Sequence, residues 1–207
     1  ITGGIWIRLT DRMTNKTIKT DNLRTKRYSV FANIPFSEGL SFSGIIKYLK
    51  AKSSNKINDE VSITCSSSDS NGRDASNVIN YDRNGKCFCS NNVPNSWICF
   101  KFKKDSVILS YIQIRSVNWG ANWNPKSWIV EGSSDGVDWD VIDEQKNCSY
   151  FIGGDATHLF KIKKHSSKEY RFIRFKQTAP NWSNSDHFSF KHIEFYGKLI
   201  FQNYINQ

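Results

Sequence analysis

The stretch from Pro125 to Trp139 constrains the fold of this chain more than any other segment. Aromatic and β-branched side chains alternate with polar ones up to Glu131, as on a half-buried strand. Residues 133–136, Ser-Ser-Asp-Gly, then supply a turn in which Gly136 can take a positive φ. A second strand begins at Trp139. The segment therefore predicts a β-hairpin.

Further short strands are predicted on both sides of this hairpin. They are Val61–Cys65, Asn95–Phe102, Val107–Arg115, Leu159–Lys163, Tyr170–Phe175 and Phe188–Tyr196. Short strands separated by turn signals indicate an all-β, antiparallel sandwich.

One helical pattern precedes the strands. Apolar residues recur at the spacing of one helix face over residues 42–51, and Ser41 or Ser43 could cap the helix. We expect a short lid helix here, within a domain over residues 36–200. Residues 1–35 are predicted as a basic leader or linker whose alternating end favours an edge strand, and residues 201–207 as a tail.

Positive charge is concentrated near the start of the chain. The net charge is +10, and residues 1–56 hold 11 Lys and Arg against 3 Asp and Glu. The remaining residues hold 18 against 16. A basic segment can contact nucleic acid or acidic lipid, but a solvated linker and the polar face of a helix are the favoured explanation. We expect no nucleic-acid partner.

The five cysteines do not form a complete disulfide framework, because their number is odd. Cys65 and Cys99 fall on strand-like stretches, where a free thiol behaves as a small buried hydrophobe. This usage predicts an intracellular, cytoplasmic location. The alternative is an extracellular one.

Six motifs, in order, resemble the discoidin domain, also called the coagulation factor 5/8 type C module. They are Ala75–Ile79, Ser96–Phe102, Ile112–Arg115, Lys126–Trp139, Arg171–Arg174 and Ile193–Gly197. The copy here looks most like intracellular ones that accompany BTB/POZ domains. The resemblance implies a galactose-binding-like jelly-roll sandwich that binds a ligand and catalyses no reaction.

The resemblance also implies that ligands meet loops at one end of the sandwich. Three loops qualify: 80–95, 118–124 and 181–187. Their tryptophans are flanked by polar residues, and an indole beside amides suits a sugar or a protein hot spot. The alternative is that these indoles fold inward and plug the open end. The candidate ligand-binding residues are Tyr81, Arg83, Phe88, Asn92, Trp119, Asn122, Trp123, Lys126, Trp182, Asn184 and His187.

Catalytic and metal-binding patterns find little support. The serines lack a nucleophile elbow, and the four histidines lack metal-ligand spacing with the cysteines. Some members of the resembled family hold a structural Ca²⁺, to which Asp74 and Asp82 could contribute. The oxygen-rich run that such a site needs is not evident. We therefore expect no cofactor, no metal and no enzymatic activity.

The sequence thus predicts a non-catalytic recognition module of a larger, multidomain protein. The first hypothesis is a protein partner held by the loop end of the sandwich. The alternative is a glycan bound through Trp119, Trp123 and Trp182. Binding to an anionic membrane is less favoured, because the near-neutral sandwich lacks a basic collar.

Overall fold

The computed structural model describes residues 30–82, 84–119, 123–164 and 167–202. The predicted basic leader before residue 30, the tail beyond residue 202, Arg83 and Asn122 lie outside these ranges. The described residues include one α-helix, α1 (Ile45–Lys52), and two 3-10 helices, Ile57–Asp59 and Ala75–Ile79. The strands are β1 (Val30–Ile34), β2 (Val61–Cys65), β3 (Phe88–Cys89), β4 (Trp97–Phe102), β5 (Asp105–Arg115), β6 (Ser127–Ser133), β7 (Asp140–Gln145), β8 (Thr157–Lys161), β9 (Phe172–Ala179), β10 (Ser189–Phe190) and β11 (His192–Phe201).

The strands form two facing antiparallel sheets and a small third one. The sheet orders are β1-β11-β5-β8, β2-β4-β9-β6-β7 and β10-β3. The core lies between the large sheets, where Phe100 of β4 meets Phe195 of β11 with ring centroids 4.9 Å apart. The predicted antiparallel β-sandwich is confirmed.

The period-two alternation of the sequence explains which face each strand buries. In β9, Ile173 and Phe175 are fully buried, while Arg174 and Lys176, which alternate with them, are partly exposed. Burying one face of each strand in this way is what holds the two sheets together.

The predicted hairpin forms between β6 and β7. The Ser133 hydroxyl accepts the N–H groups of Asp135 and Gly136 at 3.3 and 2.8 Å. The Asp135 carboxylate accepts the N–H of Val137 at 2.8 Å. Gly136 has a φ of +85°, the conformation for which the sequence predicted a glycine.

The lid helix differs from its prediction at its N-terminus. It begins at Ile45, and Phe42 lies outside it with a φ of +53°. Neither Ser41 nor Ser43 caps it, because the Glu194 carboxylate of β11 accepts the first free N–H groups. The buried face of the helix packs on the four-stranded sheet, so a distant side chain fixes where the helix starts.

Strand β1 pairs with β11 and forms one edge of the four-stranded sheet. It lies in the stretch whose alternating pattern favoured an edge strand. This pairing lies ahead of residue 36, where the sequence placed the start of the domain. Among the described residues, no helix is long and apolar enough to cross a membrane.

Antiparallel pairing brings several loops to one end of the sandwich. β2, β9 and β7 end at the edge where β4 and β6 begin. In the facing sheet, β5 ends where β8 and β11 begin. We call this edge the loop end.

Candidate ligand-binding site

A pocket of ≈ 360 Å³ opens at the loop end, and we call it the loop-end pocket. Segments 71–73, 84–87 and 117–119 contribute to its walls, with one residue that follows β10. Its polar lining consists of Asn71, Arg73, Asn84, Lys86, Asn118 and Lys191. No Asp or Glu among the described residues lines it. The pocket is therefore rich in hydrogen-bond donors and carries positive charge.

Arg73 and Trp119 form one side of the pocket. The guanidinium carbon lies 4.1 Å from the centroid of the indole ring, within the range of a cation–π contact. Its Nη1 also donates to the Asp69 carboxylate at 2.5 Å. Although burial acts to raise it, the hydrogen bonds from Asn71 and Arg73 hold the pKa of Asp69 below its usual value. The guanidinium is thus fixed by a ring and a carboxylate at the same time.

Two lysines also line the pocket. Lys191 donates a hydrogen bond to the carbonyl of Gly85, a neutral partner that leaves its charge uncompensated. The Lys86 ammonium lies beside Gly72, where a Cβ would be only 2.9 Å from its nitrogen. Within the described part of the chain, neither lysine makes an ion pair. Both charges are available to a ligand.

A thiol also lines the pocket. Burial raises the pKa of Cys87, although Arg73 and Lys191 lie close enough to oppose that shift. A thiol with a raised pKa is a poor nucleophile at neutral pH. All five cysteines are free thiols in the structure.

The 181–187 loop is held by its own side chains. The Asn181 amide oxygen accepts the N–H groups of Ser183 and Ser185 at 3.0 and 3.1 Å. Asn92 joins a neighbouring loop to it, since its amide oxygen accepts the Asp186 N–H at 2.8 Å. Asn184 is exposed at the tip, with a φ of +58°. The two loops therefore act as one surface.

The remaining candidates surround that surface. The Trp182 indole donates to the carbonyl of Cys148 at 3.1 Å, and the Lys126 ammonium lies 4.8 Å from its ring centroid. The His187 ring lies 5.9 Å from that of Trp123, which is 40% exposed. The structure thus brings Asn92, Trp123, Lys126, Trp182, Asn184 and His187 around one loop.

Two sequence-predicted residues lie elsewhere. Phe88 is 0% exposed, because β3 pairs with β10 and directs this ring into the core. Its prediction as a ligand contact is wrong. The Tyr81 hydroxyl donates to the Ile193 carbonyl at 2.9 Å, and its ring packs on Phe42. Tyr81 therefore holds the segment before α1 against the sheet.

The sequence-predicted binding residues did not include Arg73, Lys86 or Lys191, although Lys86 lies within the candidate loop 80–95. Arg73 follows Gly72 in the connection between β2 and the 3-10 helix Ala75–Ile79, and Lys191 follows the two-residue strand β10. These side chains meet because β3 pairs with β10. No local pattern in the sequence predicts that these two strands pair.

A metal site is not apparent in the described residues. Within them, no group of three or more His, Cys, Asp and Glu side chains could hold an ion. Asp74 lies in an exposed position, and the Asp82 carboxylate accepts the N–H of Asn84 at 2.9 Å. These two carboxylates are not gathered with a third ligand.

Several solved structures share this fold. The CBM32-3 module of a family 31 glycoside hydrolase from Clostridium perfringens matches with a TM-score of 0.55 and 14% identity, over 67% of this chain and 92% of that one. The CpGH89CBM32-5 module of the same organism, in complex with GalNAc-β-1,3-galactose, matches with a TM-score of 0.53 and 14% identity, over 66% and 95%. Chitosan-binding module 1 from a chitosanase/glucanase of Paenibacillus sp. IK-5 matches with a TM-score of 0.53 and 16% identity, over 67% and 96%.

At the sequence level, no curated protein matches the chain significantly. The sequence model of one domain family does match, over residues 62–191. That range runs from the second residue of β2 to the residue after β10, and thus includes every segment that lines the loop-end pocket. The chain belongs to the F5/8 type C domain family.

Proposed function

We propose that this chain is a non-catalytic carbohydrate-binding module whose ligand enters the loop-end pocket. One observation carries the proposal: amide and cationic donors surround an indole in a pocket of ≈ 360 Å³. Amides both donate to and accept from hydroxyl groups, which suits the alternating donors and acceptors of a sugar ring. The volume falls within the range of small-molecule sites.

The fold neighbours support this proposal. One of them is in complex with a disaccharide, and another is named for binding chitosan. Fold alone does not determine function, so the argument depends on the residues of the pocket. A neighbour that is a module of a glycoside hydrolase is consistent with a larger, multidomain parent for this chain.

The pocket offers groups for binding and none arranged for a reaction. Its thiol has a raised pKa because it is buried, and no carboxylate of the described residues lines it to act as a general base. Binding through fixed donors is the chemistry that this arrangement supports.

A protein partner is the second candidate, favoured by exposed apolar side chains at the loop end. Trp123 is 40%, Tyr150 58% and Ile152 47% exposed. Aromatic residues are enriched at the centres of protein interfaces. This surface would lie beside the pocket and would bind a partner without filling it.

The test is a glycan array probed with the full chain and two matched variants. Trp119 supports a guanidinium in the pocket at 4.1 Å, and Trp139 supports that of Arg174 at 3.8 Å, outside the pocket. We expect saccharide binding that Trp119→Ala abolishes and Trp139→Ala retains. A blank array with folded protein would refute the carbohydrate proposal and favour the protein partner. Equal loss in both variants would place binding outside the pocket.

A further inference from the structure

We propose, on the basis of the carbohydrate function above, that the loop-end pocket selects saccharides with an anionic substituent, a carboxylate or a sulfate. The inference concerns the charge of the ligand. It follows from the three cations that line the pocket, Arg73, Lys86 and Lys191, and from the absence of a lining carboxylate among the described residues.

The internal partners of these cations leave most of their charge uncompensated. Arg73 is paired with Asp69, which neutralises one guanidinium. Lys191 donates to a backbone carbonyl, which carries no net charge. Lys86 makes no hydrogen bond or ion pair with a described residue, and its ammonium lies beside Gly72. Two unpaired ammonium groups thus line the same small pocket.

A neutral sugar would leave those two charges without a counter-charge. An anionic sugar would replace water around them with charge-assisted hydrogen bonds, which are about twice as strong as neutral ones. The Trp119 indole and the asparagine side chains would hold the ring in the same way for either ligand. The substituent therefore decides the preference.

The same argument excludes a polycationic ligand. Chitosan carries ammonium groups, which the cations of this pocket would repel. The Paenibacillus module named for binding chitosan shares the fold at 16% identity, so a fold in common is compatible with ligands of opposite charge.

The experiment uses an array on which neutral sugars are printed beside their uronates and their sulfate esters, with chitosan oligomers as a cationic member. We expect the acidic members to bind, and the carboxylate and sulfate arms to show which anion is preferred. Binding should weaken as salt is raised, because screening acts on partly exposed charges.

Three lysine variants separate the role of the pocket from that of net charge. Lys86→Gln removes the unpaired ammonium and should weaken the binding of acidic sugars about five-fold more than that of neutral ones. Lys191→Gln should act in the same direction. Lys161→Gln removes an exposed lysine on β8, outside the pocket, and should leave binding unchanged.

The outcomes distinguish a failure of the anionic preference from a failure of the carbohydrate function. Equal binding of neutral and acidic sugars would overturn the anionic preference and leave the carbohydrate function standing. The same would follow if Lys161→Gln weakened the binding of acidic sugars as much as Lys86→Gln does. Binding to chitosan above the uronates would overturn it as well. A blank array would refute the carbohydrate function and with it this inference.

Discussion

The Glu194 carboxylate accepts the backbone N–H of Ile46 at 2.9 Å, across 148 residues of sequence. Its second oxygen accepts the N–H of Lys47 at 3.1 Å. These are free donors in the first turn of α1, which a local Ser or Asp side chain would ordinarily satisfy. A strand of the sheet therefore supplies the cap of the helix.

Replacing Glu194 should destabilise the whole domain. Its carboxyl group is fully buried, and burial raises its pKa despite the hydrogen bonds from Phe195, Ile46 and Lys47. Glu194→Ala would leave those N–H groups unsatisfied, which we expect to lower the free energy of unfolding by about 3 kcal/mol. Guanidinium unfolding measures the change. Glu144→Ala, at an exposed carboxylate on β7, is the control, and equal stability of the two variants would contradict the capping role.

Acid should destabilise the domain through His192. Burial lowers the pKa of this imidazole from 6.5 to about 4. Its Nε2 lies 3.2 Å from the Asp82 carbonyl and must donate to it, while Nδ1 is buried without a partner. The folded state therefore prefers neutral imidazole, and this contribution to stability is complete above pH 6.5 and is lost as the pH falls towards 4.

This effect is measured by comparing how the free energy of unfolding changes with pH in the wild type and in His192→Gln. Between pH 6.5 and 4, the wild type should lose on the order of 2 kcal/mol more than His192→Gln. Gln retains a donor for the Asp82 carbonyl and does not titrate, so carboxylates contribute equally to both profiles. Parallel profiles would show that the imidazole is not the titrating group.

Gly197 should not tolerate a side chain. It lies at the β-bulge after Tyr196 with a φ of +147°, and a Cβ there would collide with the carbonyl of Ile108. Since the obstacle is backbone, Gly197→Ala should cost about 3 kcal/mol or more in thermal or chemical unfolding. Gly39 also has a positive φ, +80°, but faces open space. Gly39→Ala should lower the free energy of unfolding by only about 1 kcal/mol. A similar loss in Gly197→Ala and Gly39→Ala would show that the positive φ, and not the collision with Ile108, causes the loss.

Asn124 should stabilise the loop that carries Trp119. Its amide oxygen accepts the Val117 N–H at 2.9 Å, and its amide nitrogen donates to the Phe151 carbonyl at 3.1 Å. Asn124→Ala would leave buried backbone groups unpaired, at a cost of about 2 kcal/mol. Amide hydrogen exchange at Val117 should accelerate in this variant. Exposed Asn58 provides the control Asn58→Ala, and unchanged exchange in Asn124→Ala would contradict the anchoring role.

The sequence predicted the parts of this molecule that depend on local patterns. The residues Tyr170–Phe175 predicted a strand, and the Ser133–Gly136 turn predicted the hairpin. The helix cap was not predictable, since Glu194 and Ile46 are neighbours only in space.

The sequence predicted which loops carry the candidate site, but it did not predict the cations of the pocket. Those cations meet only because β3 pairs with β10 in the folded protein. Phe88 was misassigned because a two-residue strand gives no periodic signal. The intracellular location and the association with BTB domains stay predictions.

Sheet pairing also sets the smallest fragment that can fold. The family match spans residues 62–191, yet β11 begins at His192 and lies between β1 and β5. A fragment trimmed to the matched range would lose β11, β1 and α1 and expose the unpaired edge of β5, a template for aggregation. We therefore expect a fragment with the boundaries of the family match to aggregate, whereas residues 30–202 retain both partners of every described strand pair.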